Sequence, residues 1–185
     1  MPATRGRARD DIVTTASALF TAHGIRAVSA DRIIAEADVS KVTFYRHFAA
    51  KDDLVVAYLQ RELARLQDYV ATHEPDATAM LALFRDQMCG PGFRGCPFMN
   101  AAAEYPDPTH PVRAVVTDFR KWMVGEFTTW AESRGVPEPE RVARTIMMLR
   151  DGALVDGYMS GEPERVVQEL TAGIEALVKS SAGGR

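Results

Sequence analysis

This sequence predicts an all-α fold, on three observations. Apolar residues recur at helical spacing along nearly all of the 185-residue chain, no run alternates strictly enough for a strand, and start and stop signals bracket the periodic stretches. A first helix over residues 10–23 puts Ile12, Ala16, Leu19 and Phe20 on one stripe and stops at Gly24, a residue that enters the left-handed region at little cost. Ser29 caps a second helix that runs to Ala37 with Ile33, Ile34 and Ala37 inward, and Ser40 caps a third that ends near Phe48. A fourth spans 51–72 and stops ahead of Pro75, since the residue before a proline disfavours helix. A fifth over 76–88 gives way to a Gly-rich break at 90–95. A short helix over 98–104, a proline-rich turn over 105–111, and helices over 111–133, 138–159 and 163–179 complete the chain, the last two each opened by a nearby proline. About nine helices result, arranged as an N-terminal three-helix head (5–65, with a helix-turn-helix at about 28–48) and a C-terminal helical bundle (66–181).

Composition narrows the function classes. No stretch reaches the ~18–20 apolar residues of a membrane span, and the first residues lack the apolar run of a signal peptide, so a cytoplasmic protein without a membrane partner is expected. Cys89 and Cys96 are too few and wrongly spaced for a disulfide framework or a zinc cage. The net charge of −3 argues against nucleic acid until its distribution is read. Residues 1–50 hold seven Lys/Arg against five acids, and the remainder 15 against 20, so a mildly basic head sits on an acidic body.

The segment 29–51 carries the most information. Two short capped helices are separated by Ala37, Asp38 and Val39, a spacing that forces a sharp helix-turn-helix with Asp38 at the positive-φ position. Phe44 and Phe48 lie one turn apart and face the head's core. At ~100° per residue Val42 and Arg46 then face outward, with Thr43 and Tyr45 on the flanks. Cationic, hydroxyl and aromatic groups on one exposed face are the types that reach phosphates and base edges in a major groove. Lys51 opens the fourth helix, whose N-terminal amides suit a phosphate.

The run VSKVTFYRHF at 39–48, followed by Lys51, Asp52, Asp53 and Leu54, resembles the signature of the tetracycline-repressor (TetR-like) family of transcriptional regulators. The resemblance implies an all-helical homodimer on operator DNA. It implies that Lys41, Val42, Thr43 and Tyr45 approach bases or adjacent phosphates and that Tyr45, His47 and Lys51 anchor the backbone, so Ser40, Lys41, Val42, Thr43, Tyr45, Arg46, His47 and Lys51 form the expected DNA-binding set. Position 42 is often small in that family, and valine here alters the expected base preference. The segment 95–111 is similar to one found in a subgroup of these regulators, and 149–158 resembles the family's dimer-forming helix.

For the body, adaptable methionines and aromatics suit a small apolar ligand, with Met88, Phe98, Met99, Trp122 and Met148 as lining candidates and Glu104 and Tyr105 for orientation; His110 and Arg150 are further polar candidates. A homodimer seam is expected along Leu149, Ala153 and Leu154 with Leu170, Gly173, Ile174 and Leu177, where two helices carry more apolar surface than one core face needs. No cofactor, metal or catalytic residue is expected. The four histidines are dispersed, no nucleophile elbow occurs, and the literal GxGxxG at 90–95 follows helix rather than strand. The competing reading is a helical small-molecule enzyme or binding module whose helix-turn-helix is incidental.

Overall fold

A computed structural model of the chain describes residues 3–72, 84, 85, 88, 90 and 92–182. Every regular element among them is helical, in the order α1 (Ala3–His23), α2 (Ala30–Glu36), α3 (Lys41–His47), α4 (Lys51–Thr72), α5 (Pro97–Glu104), α6 (Pro111–Ser133), α7 (Pro139–Ser160) and α8 (Pro163–Ala182). Most of the helix expected over 76–88 lies outside the described residues, of which Phe84, Arg85 and Met88 are helical. No helix among the described residues is long and apolar enough to cross a membrane.

Helix α1 begins well before Asp10, where the apolar stripe starts. Arginine and alanine at 3–9 favour helix without any periodic apolar signal, which is why pattern reading missed this part. Its stop follows the expectation: Gly24 has φ +85°, and its amide donates to the Phe20 carbonyl at 2.9 Å. The Ser29 hydroxyl accepts from the Arg32 amide and the Ser40 hydroxyl from the Thr43 amide, so each short helix is capped at its first exposed donors. Asp38 sits between them at φ 51°. At the start of α4, the Asp53 carboxylate reaches back to the Ala50 amide at 2.9 Å, half of a capping box.

The chain divides into two compact units, Met1–Arg65 with Pro97–Val116 and Leu66–Cys96 with Thr117–Arg185. In the first, α1, α2 and α3 pack on one another. Ile12, Ala16, Leu19, Phe20, Ile33, Phe44 and Phe48 are all buried, and the Phe20 and Tyr58 rings meet edge to face at 5.5 Å. Residues 97–116 group with this unit, although the boundary read from sequence assigns them to the body.

In the second unit α7 and α8 pack on each other. Their single-chain burial divides the residues of the expected seam. Leu154, Leu170 and Ile174 are already buried within a single chain, and Ala153, Gly173 and Leu177 are half-buried. A Cβ on Gly173 would meet the Leu149 side chain at 3.9 Å, an ordinary contact, so these two positions of α7 and α8 face each other within one chain. Leu149 itself is exposed at the margin, but the large apolar residues left most open on α7 are Met148, Val155, Tyr158 and Met159. Both faces of these helices are apolar enough that sequence alone could not say which one the chain covers by itself.

Candidate nucleic-acid interface

Helix α3 divides cleanly. Phe44 and Phe48 are buried, their rings 6.1 Å apart, and this pair fixes the helix on the head. On the other side Val42 is 77% exposed and Tyr45 45% exposed, with Lys41 and Arg46 also exposed. Thr43 and His47 are half-buried on the flanks. An aliphatic side chain that exposed contributes nothing to the head's core, so it serves either solvent or a partner. The Tyr45 ring stands edge-on to Phe44 at 5.3 Å, which steadies its direction while its hydroxyl end stays outside.

Local polar contacts fit the same division. Ser40 and Thr43 share a hydroxyl hydrogen bond of 2.9 Å, so Ser40 is held as a cap with its oxygen on the exposed side. Lys41 Nζ lies 3.2 Å from Asp31 Oδ1, and this hydrogen bond and charge raise the lysine pKa. Both side chains are mostly exposed, so the pair holds α3 to α2 only weakly and exchanges easily for another anion.

Lys51 stands apart from the outward face of α3. The expected phosphate ligand turns inward, where its Nζ donates to the Ile25 carbonyl at 2.6 Å and lies 6.0 Å from the Phe20 ring centre; burial lowers its pKa. Side chains in a helix lean toward its N-terminus, so a lysine at the first position of α4 reaches back over the preceding loop.

Glu104 and Tyr105, expected to orient a ligand, hold the head instead. The two Glu104 carboxylate oxygens accept from the amides of Ile25 and Arg26 at 3.1 and 2.6 Å, and the Arg26 guanidinium donates to the Glu104 carbonyl at 2.6 Å. Beside them the Tyr105 hydroxyl donates to Asp52 Oδ1 at 2.7 Å, and His110 Nε2 lies 3.3 Å from the other Asp52 oxygen with its ring stacked on Tyr105. Burial, then the carboxylate acceptor, pushes the Tyr105 phenol far above its ordinary pKa, so it acts as a permanent donor. These groups line a polar cleft of ≈ 360 Å³. They bind the turn between α1 and α2 to Glu104, 78 and 79 positions later, and the first turn of α4 to Tyr105, 53 positions later. Sequence offered no signal for that pairing, because neither partner belongs to a periodic stripe.

The remaining ligand candidates are divided between the two units. Phe98 is buried and Met99 half-buried in the first unit, whereas Met88, Trp122 and Met148 belong to the second. Met148 is 64% exposed on α7 and points away from any interior.

Comparison with known proteins agrees with this geometry. Residues 12–58 match the family model for bacterial regulatory proteins of the tetR family. Over 61 residues, the chain is 38% identical to the transposon Tn10 TetC protein of Escherichia coli, a match that covers 33% of this chain and 31% of that protein. It is 37% identical to a TetR-family transcriptional regulator from Streptomyces coelicolor whose crystal structure is known, with a TM-score of 0.87 over 95% of this chain and 96% of that one. A putative regulator of the same kind from Streptomyces avermitilis shares the fold at a TM-score of 0.82 and 21% identity, over 95% and 98% of the two chains. With a capped helix-turn-helix in the matched residues and whole-chain identity to such a regulator, the chain belongs to the TetR family of transcriptional regulators.

Proposed function

We propose that this regulator is a ligand-responsive repressor that binds a pseudo-palindromic operator as a homodimer. Residues 5–65 form the DNA-binding head and 66–181 the ligand and dimerisation body. The recognition helix α3 of each copy enters one of two successive major grooves. The observation that carries the reading is the outward face of α3, where Lys41, Val42, Tyr45 and Arg46 combine cationic, aliphatic and aromatic groups that the head's own core does not use. A small ligand in the body favours a head spacing that no longer matches the operator, and affinity falls by coupling between the two sites.

Selection from randomised duplexes tests this reading directly. The expected product is an inverted repeat with half-sites about one helical turn apart. Binding without sequence preference, or none at all, favours the alternative of a binding module with an incidental helix-turn-helix. Within the selected site, a thymine methyl against Val42 accounts for an exposed aliphatic group. Val42→Ser is then expected to relax preference at one base pair per half-site by ~1 kcal/mol, the low end of a mismatch cost. An identical motif from both proteins counts against that contact.

Glu104 supports the head without facing α3. Glu104→Ala frees two backbone amides from a carboxylate, and the expected result is about tenfold weaker operator binding with faster amide hydrogen exchange at Ile25 and Arg26. Unchanged exchange and unchanged affinity together remove this role.

A further inference from the structure

Arg150 on α7 is the one charged side chain fully buried among the described residues, at 2% exposure. A guanidinium offers five N–H donors and no acceptor. Here Nη1 donates to Asp151 Oδ1 at 2.8 Å, Nη2 faces the weak acceptor Cys96 Sγ at 3.6 Å, and the buried Nε has no hydrogen-bond partner among the described residues. The Phe84 and Phe119 rings lie 5.4 and 5.3 Å from its Cζ. Asp151 is not Arg150's alone, because its second oxygen accepts from Arg120 at 2.6 Å. One carboxylate therefore serves two guanidiniums, and the one in the interior is short of acceptors in aromatic surroundings.

An arginine kept for structure would have its donors matched, since a buried N–H donor without an acceptor destabilises the folded chain. An anion completes this arrangement. Aromatic walls beside the guanidinium suit a flat apolar body attached to that anion. Two turns along the same face of α7, Gly157 is buried, and a Cβ there would lie 3.0 Å from Met88 Sδ and 3.9 Å from the Phe93 ring. Unbranched methionine re-packs at low cost, so the contact of Met88 with α7 adapts to a change in its surroundings.

We propose that Arg150 is the polar anchor of the effector site, and that the effector is a small aromatic carboxylate whose oxygens take the Arg150 donors while its ring lies with Phe84 and Phe119. The proposal rests on the ligand-responsive reading above and changes its expected ligand from wholly apolar to amphiphilic.

The test uses the full chain, a panel of benzoates and naphthoates, and the matching neutral amides. Melting temperature and calorimetric affinity are measured for wild type, R150M and R150K. Wild type is expected to prefer an acid over its amide by at least tenfold, R150M to lose that preference, and R150K, which keeps the charge but not the planar fork, to retain part of it. Without ligand R150M is expected to melt at or above the wild-type temperature, because Asp151 keeps Arg120 and a desolvated guanidinium with an unsatisfied donor is replaced by an apolar side chain. A lower melting temperature for R150M together with unchanged acid preference overturns the proposal, as does a wild type that discriminates no acid from its amide. Operator affinity is read in parallel. Acids that bind through Arg150 without weakening operator binding uphold the site and refute the ligand-responsive reading. Neutral compounds that release wild type and R150M equally uphold that reading and refute the anchor.

Discussion

In an operator titration, Tyr45→Ala is expected to lose about a hundredfold or more in affinity while thermal stability changes little. The two effects separate because of where the side chain stands. Nearly half of the residue is exposed, and its contact with the chain is one edge-to-face approach to Phe44. Losing such an aromatic pair costs the fold about 0.5–1.5 kcal/mol beyond the area involved. At the DNA, loss of a contact at one base pair costs about 1–3 kcal/mol, and a two-fold symmetric complex feels the loss twice. Phe44→Ala makes the converse control. That ring is wholly buried, so truncation should cost about 3–5 kcal/mol and unfold the head, with binding lost for a different reason. Fluorescence anisotropy with a labelled duplex and a circular dichroism melt on each variant suffice. A Tyr45→Ala protein that binds normally removes the residue from the interface.

What sequence revealed of the head came from interactions within four residues. Ser29 and Ser40 announce themselves as caps because each serves an amide three positions on, and Asp38 as the turn because few other residues tolerate its φ. Phe44 and Phe48 follow from helical spacing once the caps set the register of α3. The features that local spacing leaves open all depend on direction or on distant partners. Lys51 was placed correctly on α4, yet only coordinates reveal that the Ile25 carbonyl lies within its reach. Glu104 reads as a lone acid near a proline turn until the amides of Ile25 and Arg26 arrive from 78 and 79 positions away. For α7 and α8 the difficulty was surplus. Apolar residues occur around much of each helix, so periodicity identified helices without ranking their faces.

That ranking decides the last prediction, Val155→Asp, which is expected to convert the proposed dimer into monomers of 20.3 kDa and weaken operator binding by about two orders of magnitude or more. Val155 is 43% exposed in one chain and lies between Met148 and Met159, seven and four residues away, so the three share an outward stripe on α7 with Gly152 among them. A second copy of the chain is the proposed occupant of this stripe, since the stripe falls within the segment 149–158 that resembles the family's dimer helix and extends one residue beyond each end. Aspartate there costs the isolated monomer little. In a two-fold seam it buries two unpaired carboxylates, each a penalty of several kcal/mol. Ile174→Asp provides the contrast. Ile174 is 9% exposed in the single chain, on the buried stripe with Val166 and Leu170, so charge there should lower the melting temperature of the second unit whatever the oligomeric state. Sedimentation velocity and a melt on both variants separate the cases. Monomers from Val155→Asp that keep a folded α7–α8 pair, with an Ile174→Asp protein that unfolds, place the seam on α7. If Val155→Asp remains dimeric and binds its operator normally, the second copy sits elsewhere, and ligand control through head spacing needs a different geometry.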